Sequence, residues 1–389
     1  MGERSKRKPG LLFVVNALST GGAEIFILRL AQALKKDWRI FVTTIDPKHN
    51  QPHFVSLFLD SAEATLIPPV PAAPKGLFKR WRQETKSEYW SRMLKKHAIS
   101  AVHSHLFSAD CFTLNHIRPN GSFSWVITTH SSPLVLIYQL APEAEREAYF
   151  QQMAALFKEA DQVITVSSVF SQLNDIFAMR QPSRQIWLGL EAKSYQPPVH
   201  QPAFHFGMIG RSTAEKGWEI ALDAFCRVQE KFPEIKFTAV IPPGTYTDFL
   251  QTRYATVPGL VFRTDVSDAR QVMPDWHAGL LSSLRESTPY TIIECLSMGR
   301  PVIASRRGDI ELMLQTKDGR LAGQLIDDGP DKKPGVQDLA EKMEKWIAQP
   351  TVYQEACAAT SLAFEKFDMN FCAAQYQDLW QTLFLAQSK

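Results

Sequence analysis

The sequence predicts an α/β fold of two doubly wound parallel-sheet domains, and three observations carry that reading. Short runs of β-branched and aromatic residues, such as Leu11–Asn16 and Ile40–Ile45, recur along the chain and alternate with amphipathic helical stretches. That alternation is the pattern of parallel strands joined by crossover helices. It breaks at Glu191–Pro202 (EAKSYQPPVHQP), a proline-rich stretch without apolar periodicity that reads as a linker. It then restarts at Ala203–Ile209 in the same order of strand, polar loop and helix. A chain of 389 residues is too long for one ordinary domain and suits two, each burying its own core. The expected boundaries are 1–195 for the first domain, 203–365 for the second, and 366–389 for a closing helix.

Composition narrows the class further. Hydrophobic residues make up 45% and charged residues 21%, which excludes a disordered chain. A net charge of +3 is too small to imply nucleic acid as a partner. Cys111, Cys226, Cys295, Cys357 and Cys372 are scattered and lack metal-type spacing, as expected of reduced core residues in a cytoplasmic protein. Arg4, Lys6, Arg7 and Lys8 before Leu11–Val15 mimic a secretory leader. The apolar run stops at Asn16 and leads into Gly21-Gly22 and a helix, so a first strand behind a basic tail explains it better. No apolar run approaches the length of a membrane span.

Taken in order, the first element is a strand, Leu11–Asn16, followed by the loop Ala17–Gly22 and a helix, Ala23–Lys35. Paired Gly21 and Gly22 let the backbone approach another group closely, and the helix N-terminus behind them favours an anion; a plain tight turn is the other reading. Strands follow at Ala64–Ile67, Ala101–His105, Trp125–Thr129 and Gln162–Val166. Asn16, His103, His105, His130, Ser167 and Ser168 cluster at their carboxyl ends, the functional edge of such a sheet. His103 and His105 share one strand face, but no third metal ligand accompanies them. His130 follows a β-branched strand; its alternative is a histidine satisfied by a backbone carbonyl. Between Lys75 and Lys96 lies a basic stretch with Trp81, Tyr89 and Met93 on one stripe. Lys75–Lys86 reads as a face for an anionic membrane surface, whereas Trp90, Met93 and Leu94 sit where a crossover helix packs on its sheet.

In the second half, strand Ala203–Ile209 leads through Gly210–Gly217 (GRSTAEKG) into helix Trp218–Glu230. Arg211 offers a planar fork to phosphate oxygens and Lys216 a compact positive charge, beside unpaired helix N–H groups. Strands Lys236–Ile241 and Leu260–Arg263 come next. Strand Gly279–Ser283 then gives way to a polar turn holding Glu286, and to a helix with Thr288 as its cap and Pro289 at its first position. The N–H groups of Tyr290 and Thr291 face that turn and favour an anion. Glu294 lies in the second turn of this helix between Ile292, Ile293, Cys295 and Leu296, too apolar a setting for a solvated carboxylate, so it needs a partner such as ligand hydroxyls. Gly299 and Pro301 stop the helix, and strand Pro301–Ser305 follows. The chain closes on an aromatic amphipathic helix, Phe367–Leu385.

The run E-S-T-P-Y-T-I-I-E-C-L-S-M-G-R-P-V-I-A, from Glu286 to Ala304, resembles the signature of retaining glycosyltransferases of family 4, which have the GT-B fold. Two further motifs resemble the same family in the expected order: G-G-A-E at Gly21–Glu24 and the G-R-…-K-G loop of Arg211 and Lys216. The resemblance implies two Rossmann-like domains facing a cleft, with the last helix crossing back onto the first. It implies that Arg211 and Lys216 bind the donor diphosphate, Glu286 touches the donor sugar, Glu294 holds the ribose, and Thr288, Tyr290 and Thr291 lie alongside. Gly21 and Gly22 would line the cleft near phosphates and acceptor, and His130, in the family's T-x-H position, would lie beside the sugar. Gly308–Leu312 (GDIEL) resembles the family's G-G-x-P-E-L, with Asp309 in place of glycine and no proline, which leaves Glu311 without an assured role.

The implied activity is transfer of a sugar from a UDP- or GDP-sugar to an acceptor hydroxyl with retention, without a metal or resident cofactor. A glycan or lipid-linked acceptor in cell-surface polysaccharide or lipopolysaccharide synthesis fits, on the cytoplasmic side and peripheral to the membrane. A sugar-nucleotide epimerase of the same fold, a glucan polymerase resembling glycogen synthase, and a silent sugar-nucleotide-binding partner subunit are the alternatives.

Overall fold

The computed structural model describes residues 8–19, 21–70, 84–192, 200, 203–266, 268–329 and 331–387. The chain divides into two compact units: one runs to Gly189 and resumes at Met369, the other is Leu190–Asp368.

The first unit is built on seven parallel strands: β1 (Gly10–Val15), β2 (Arg39–Thr44), β3 (Thr65–Leu66), β4 (Ile99–His105), β5 (Ser124–Thr129), β6 (Gln162–Thr165) and β7 (Arg184–Gln185). Their order in the sheet is β3-β2-β1-β4-β5-β6-β7. Leu11 to Val15 are all buried, as a strand covered on both faces requires. Helix Gly22–Leu34 buries Phe26, Ile27, Leu30, Ala31 and Leu34. Thr85 and Glu88 form a reciprocal capping box that starts helix Lys86–His97, which buries Tyr89, Trp90, Met93 and Leu94. The described part of the basic stretch is thus a packed crossover helix.

The last helix, Met369–Gln387, packs on this unit against Gly22–Leu34. Trp380 is fully buried, its ring 5.2 Å from that of Trp38. The Tyr376 hydroxyl lies 3.1 Å from Thr128 Oγ1 on β5.

The second unit has six parallel strands: β8 (His205–Ile209), β9 (Lys236–Val240), β10 (Leu260–Arg263), β11 (Ala278–Leu281), β12 (Val302–Ser305) and β13 (Gly323–Ile326). Their order is β10-β9-β8-β11-β12-β13. Helices Trp218–Lys231 and Val336–Ala348 bury Trp218, Leu222, Phe225, Met343 and Trp346 in a core with Phe206 and Phe237. Strands β7 and β13 are additions to the expected set: β7 has two residues, and β13 (GQLI) holds too few apolar positions to show a pattern.

In each sheet the unit's first strand pairs with its second on one side and its fourth on the other. The connections reverse direction between the first and fourth strands, and loops leaving their carboxyl ends open a crevice there. In the first unit that point lies between β1 and β4, and in the second between β8 and β11.

Candidate functional site

At the second unit's reversal, the loop after β8 meets the loop after β11. Lys216 Nζ lies 2.6 Å from Glu286 Oε1, and the two side chains retain only 16% and 9% of their exposure. Lys216 and Glu286 thus form a largely buried ion pair across the reversal point, a geometry in which each partner would be costly to leave alone. The backbone holds the loops together as well, because Leu284 N–H donates to Glu215 O at 2.8 Å. Ser282 Oγ donates to Gly217 O at 2.8 Å. Gly217 has φ 72°, and a Cβ there would meet Ser282 O at 2.0 Å, so only glycine allows this approach.

The Glu286 loop is gripped from its other side by the chain after β12. Ser305 Oγ donates to Ser283 O and Arg307 Nε to Leu284 O, at 2.8 and 3.0 Å. Asp309 N–H donates to Ser287 O at 2.9 Å. Gly308 passes so close that a Cβ would lie 2.4 Å from Glu286 O. The GDIEL segment thus acts as a backbone clamp. Glu311 pairs with Arg306.

Arg211 stands apart from this pair. Its side chain is 69% exposed and lies 3.7 Å from Glu215. Trp218 Nε1–H donates to Arg211 O at 2.9 Å and anchors the loop to the core. A surface pair of this kind contributes little, so the guanidinium can leave it at small cost.

Helix Tyr290–Ser297 carries the remaining residues. Thr288 was the expected cap, but Pro289 is itself the cap, with φ −68° and ψ 121°, and the helix begins at Tyr290. Proline fixes only φ, so its ψ stays extended here and the first helical position moves one residue on. Tyr290 and Thr291 open the helix, with Glu294 one turn further and half-buried. Sequence reading missed Arg270, which is 4% exposed and donates to Asp268 and to Glu191 O. Burial works against its charge; Asp268, then Glu294 and Tyr290, outweigh that and raise its pKa. It therefore supplies positive potential beside Glu294.

The first unit's reversal is chemically different. His103 and His105 on β4 are both fully buried, with ring centroids 4.0 Å apart. His103 Nε2 lies 2.8 Å from Thr128 Oγ1, and His105 Nδ1 lies 2.9 Å from His130 Nε2. His130 is thus paired with a ring nitrogen, not with the backbone carbonyl that was its alternative. Burial pushes the His130 pKa down to about 4 and those of His103 and His105 well below the usual histidine value, so all three are neutral at pH 7. Asp110, in the helix Phe107–Phe112 that follows β4, is raised to about 8 by burial against the lowering effect of Ser104. No group of three or more His, Cys, Asp or Glu able to hold a metal occurs among the described residues.

Gly21 caps helix Gly22–Leu34, and a Cβ on it would meet the Glu24 carboxylate at 2.1 Å. Burial raises the Glu24 pKa, with the backbone hydrogen bond opposing. The glycine therefore makes room for a carboxylate folded back on the loop.

Two family models match the chain: Glycosyltransferase Family 4 over residues 20–172 and Glycosyl transferases group 1 over residues 203–349. The chain belongs to the family 4 glycosyltransferases. No curated protein matches this glycosyltransferase by sequence. Among solved structures it is similar to sucrose-phosphate synthase from Thermosynechococcus elongatus, with 19% identity, 98% of this chain and 100% of that one covered, and a TM-score of 0.70. It is similar to Anabaena HepE in complex with UDP, with 16% identity, coverage of 96% and 100%, and a TM-score of 0.71. The lipopolysaccharide outer core galactosyltransferase WaaB in its apo form gives 17% identity, coverage of 95% and 98%, and a TM-score of 0.65. At such identities the likeness is one of fold, and it is the GT-B fold.

Of the residues expected to act together, the glycosyltransferase joins Lys216 and Glu286 directly and places Arg211, Thr288, Tyr290, Thr291 and Glu294 on the same two loop-and-helix elements of the second unit. Gly21, Gly22 and His130 belong to the first unit. Most of the expected membrane face, Lys75–Lys86, lies outside the described residues, as do most of the linker Glu191–Pro202 and the basic residues Arg4, Lys6 and Arg7. No described helix is long and apolar enough to cross a membrane.

Proposed function

We propose that this glycosyltransferase moves a sugar from a nucleotide-diphosphate sugar, with UDP or GDP as the carrier, to an acceptor hydroxyl with retention at the anomeric carbon. The observation that carries the reading is the buried Lys216–Glu286 pair at the second unit's reversal point, where open α/β sheets bind ligands. It sets a cation for a diphosphate beside a carboxylate for sugar hydroxyls. Lys216, Arg211 and the adjoining helix N-termini offset charge growing on the leaving diphosphate. Glu286 orients the sugar ring, and Glu294 holds the ribose. Thr288, Tyr290 and Thr291 line the same end of their helix. His130 contacts the sugar near the reacting carbon, and Gly21 and Gly22 give close approach to phosphates and acceptor.

In the step itself the bond from the anomeric carbon to the diphosphate oxygen breaks and a bond to the acceptor oxygen forms on the same face. The acceptor's proton passes to the leaving phosphate. Cationic side chains take the part a metal plays elsewhere, so the reading assigns no metal or resident cofactor. HepE in complex with UDP and pneumococcal GtfA in complex with UDP and GlcNAc support a uridine diphosphate ligand. The likeness to WaaB supports a lipopolysaccharide or other cell-surface glycan as acceptor. A peripheral contact through Lys75–Lys86 with the inner face of the cytoplasmic membrane fits that acceptor. Liposome sedimentation with Lys79, Arg80 and Arg82 neutralised tests it, and equal binding by the variant rejects that face.

The test of the activity is a panel of UDP- and GDP-sugars incubated with and without lipid-linked and oligosaccharide acceptors, with product configuration read by NMR. The expected result is acceptor-dependent release of nucleoside diphosphate and a product of unchanged anomeric configuration. An isomerised sugar from donor alone would indicate an epimerase, and binding without turnover a silent subunit.

A further inference from the structure

The geometry points to His105 as the positioning residue that sets the tautomer of His130, so that His130 presents an Nδ1–H donor, and not a base, to the substrate. This rests on the reading that His130 touches the donor sugar and adds which kind of sugar atom it can meet.

The argument starts from the 2.9 Å contact between His105 Nδ1 and His130 Nε2. Both rings are neutral at pH 7, because burial holds both pKa values far below that pH. A neutral imidazole has one N–H and one bare nitrogen. One of the two facing atoms therefore carries the proton, and that choice fixes the outer nitrogen of each ring.

The two arrangements differ in what they bury. If His130 Nε2–H donates, His105 must carry its own proton on Nε2. That atom is buried and has no hydrogen-bond partner among the described residues. Its surroundings are aromatic: Phe13 stacks on the His105 ring at 6.0 Å and Phe26 meets it edge-on at 6.4 Å. A buried N–H with no acceptor is among the rarest and most costly orphans in a fold. If His105 Nδ1–H donates instead, the buried Nε2 is a bare nitrogen, the less costly of the two. His130 then keeps its proton on Nδ1.

His103 does not disturb this choice. Its Nε2 is engaged by Thr128 Oγ1 at 2.8 Å, and it meets His105 through ring contact alone. His130 is less enclosed than His105, lies at the carboxyl end of β5, and its Nδ1 makes no hydrogen bond among the described residues.

A His130 held this way donates to an oxygen, such as a sugar hydroxyl, carboxylate or phosphate oxygen. It cannot take the acceptor's proton through Nδ1, which leaves that role to the departing phosphate.

Two measurements test the inference. The first is long-range 1H–15N correlation on the full chain labelled with 15N-histidine at pH 7, with the His130 signals found by their loss in His130→Gln. Protonated Nδ1 and bare Nε2 are expected; protonated Nε2 or an imidazolium overturns the proposal, whether or not sugar transfer is ever seen. The second compares His105→Asn, whose amide N–H can stand where His105 Nδ1–H stood, with His105→Leu, which cannot donate. We expect His105→Leu to lower kcat roughly tenfold, the worth of one hydrogen bond, with donor KM unchanged. His105→Asn should return kcat to near the parent value. Equal loss in both variants, with melting temperatures matched, would show a packing role only.

Discussion

The two units run their strands in the same order, yet the crevice each opens at its reversal point carries opposite chemistry. In the second unit a full negative and a full positive charge meet at 2.6 Å, with Arg211 exposed nearby and Arg270 buried beside Glu294. In the first, three histidines are all held neutral by burial. The difference teaches how one scaffold divides labour. A charged crevice suits a diphosphate that gains charge as it leaves, whereas a neutral one can hold hydroxyls without competing for the anion.

The contrast is most exposed at Lys216. Lys216→Ala leaves Glu286 charged and largely buried without its partner, a loss of about 3–5 kcal/mol in stability. On the proposed function it also removes a diphosphate contact, so turnover should fall roughly 100-fold or more. Chemical denaturation and a donor assay read the two effects separately. Glu286→Gln keeps the volume and an acceptor for Lys216. It keeps the hydrogen bond but not the counter-charge, so it should cost about 1.5–3 kcal/mol in stability, less than Lys216→Ala, while lowering kcat, with nucleoside diphosphate affinity little changed.

The neutral crevice is best sharpened by pH. The folded His130 pKa of about 4 lies below the ordinary 6.5, so between those values the unfolded chain binds a proton that the folded chain does not. Stability from this group is present above pH 6.5 and is lost as pH falls toward 4. Asp110 has the opposite sign. Its folded value of about 8 lies above the ordinary 3.8, so stability falls as pH rises between them and through pH 8. Melting temperature against pH should show both limbs, with His130→Asn making the acid one shallower, since His103 and His105 share it, and Asp110→Asn flattening the alkaline one. The smallest effect is at Arg211, whose exposed pair with Glu215 contributes about 0–1 kcal/mol. Arg211→Ala should leave the melting temperature in place and raise donor KM.

Much of this was legible in the sequence because it is local. Strand and helix alternation, the Arg211–Lys216 loop and the apolar setting of Glu294 all lie within short windows, where period and turn chemistry act. What stayed hidden depends on strand neighbours. Lys216 and Glu286 are 70 residues apart, and only the pairing of β8 with β11 brings them together. The His105–His130 pair likewise needs β4 beside β5. A signal for it existed, since His103 and His105 share a face and His130 follows the next strand. Arg270 sits in a short polar stretch with no period, so nothing local distinguished it from a surface cation. The start of helix Tyr290–Ser297 moved by one residue because proline fixes φ and not ψ.

The division of labour is tested most directly by calorimetric titration of UDP and GDP into the wild type, Glu294→Ala and His130→Ala. The account predicts that one of these nucleotides binds the wild type, binds Glu294→Ala about tenfold more weakly, the loss of roughly 1.4 kcal/mol, and binds His130→Ala as it binds the parent. Unchanged affinity in Glu294→Ala together with loss in His130→Ala would place the nucleotide in the first unit and contradict the account.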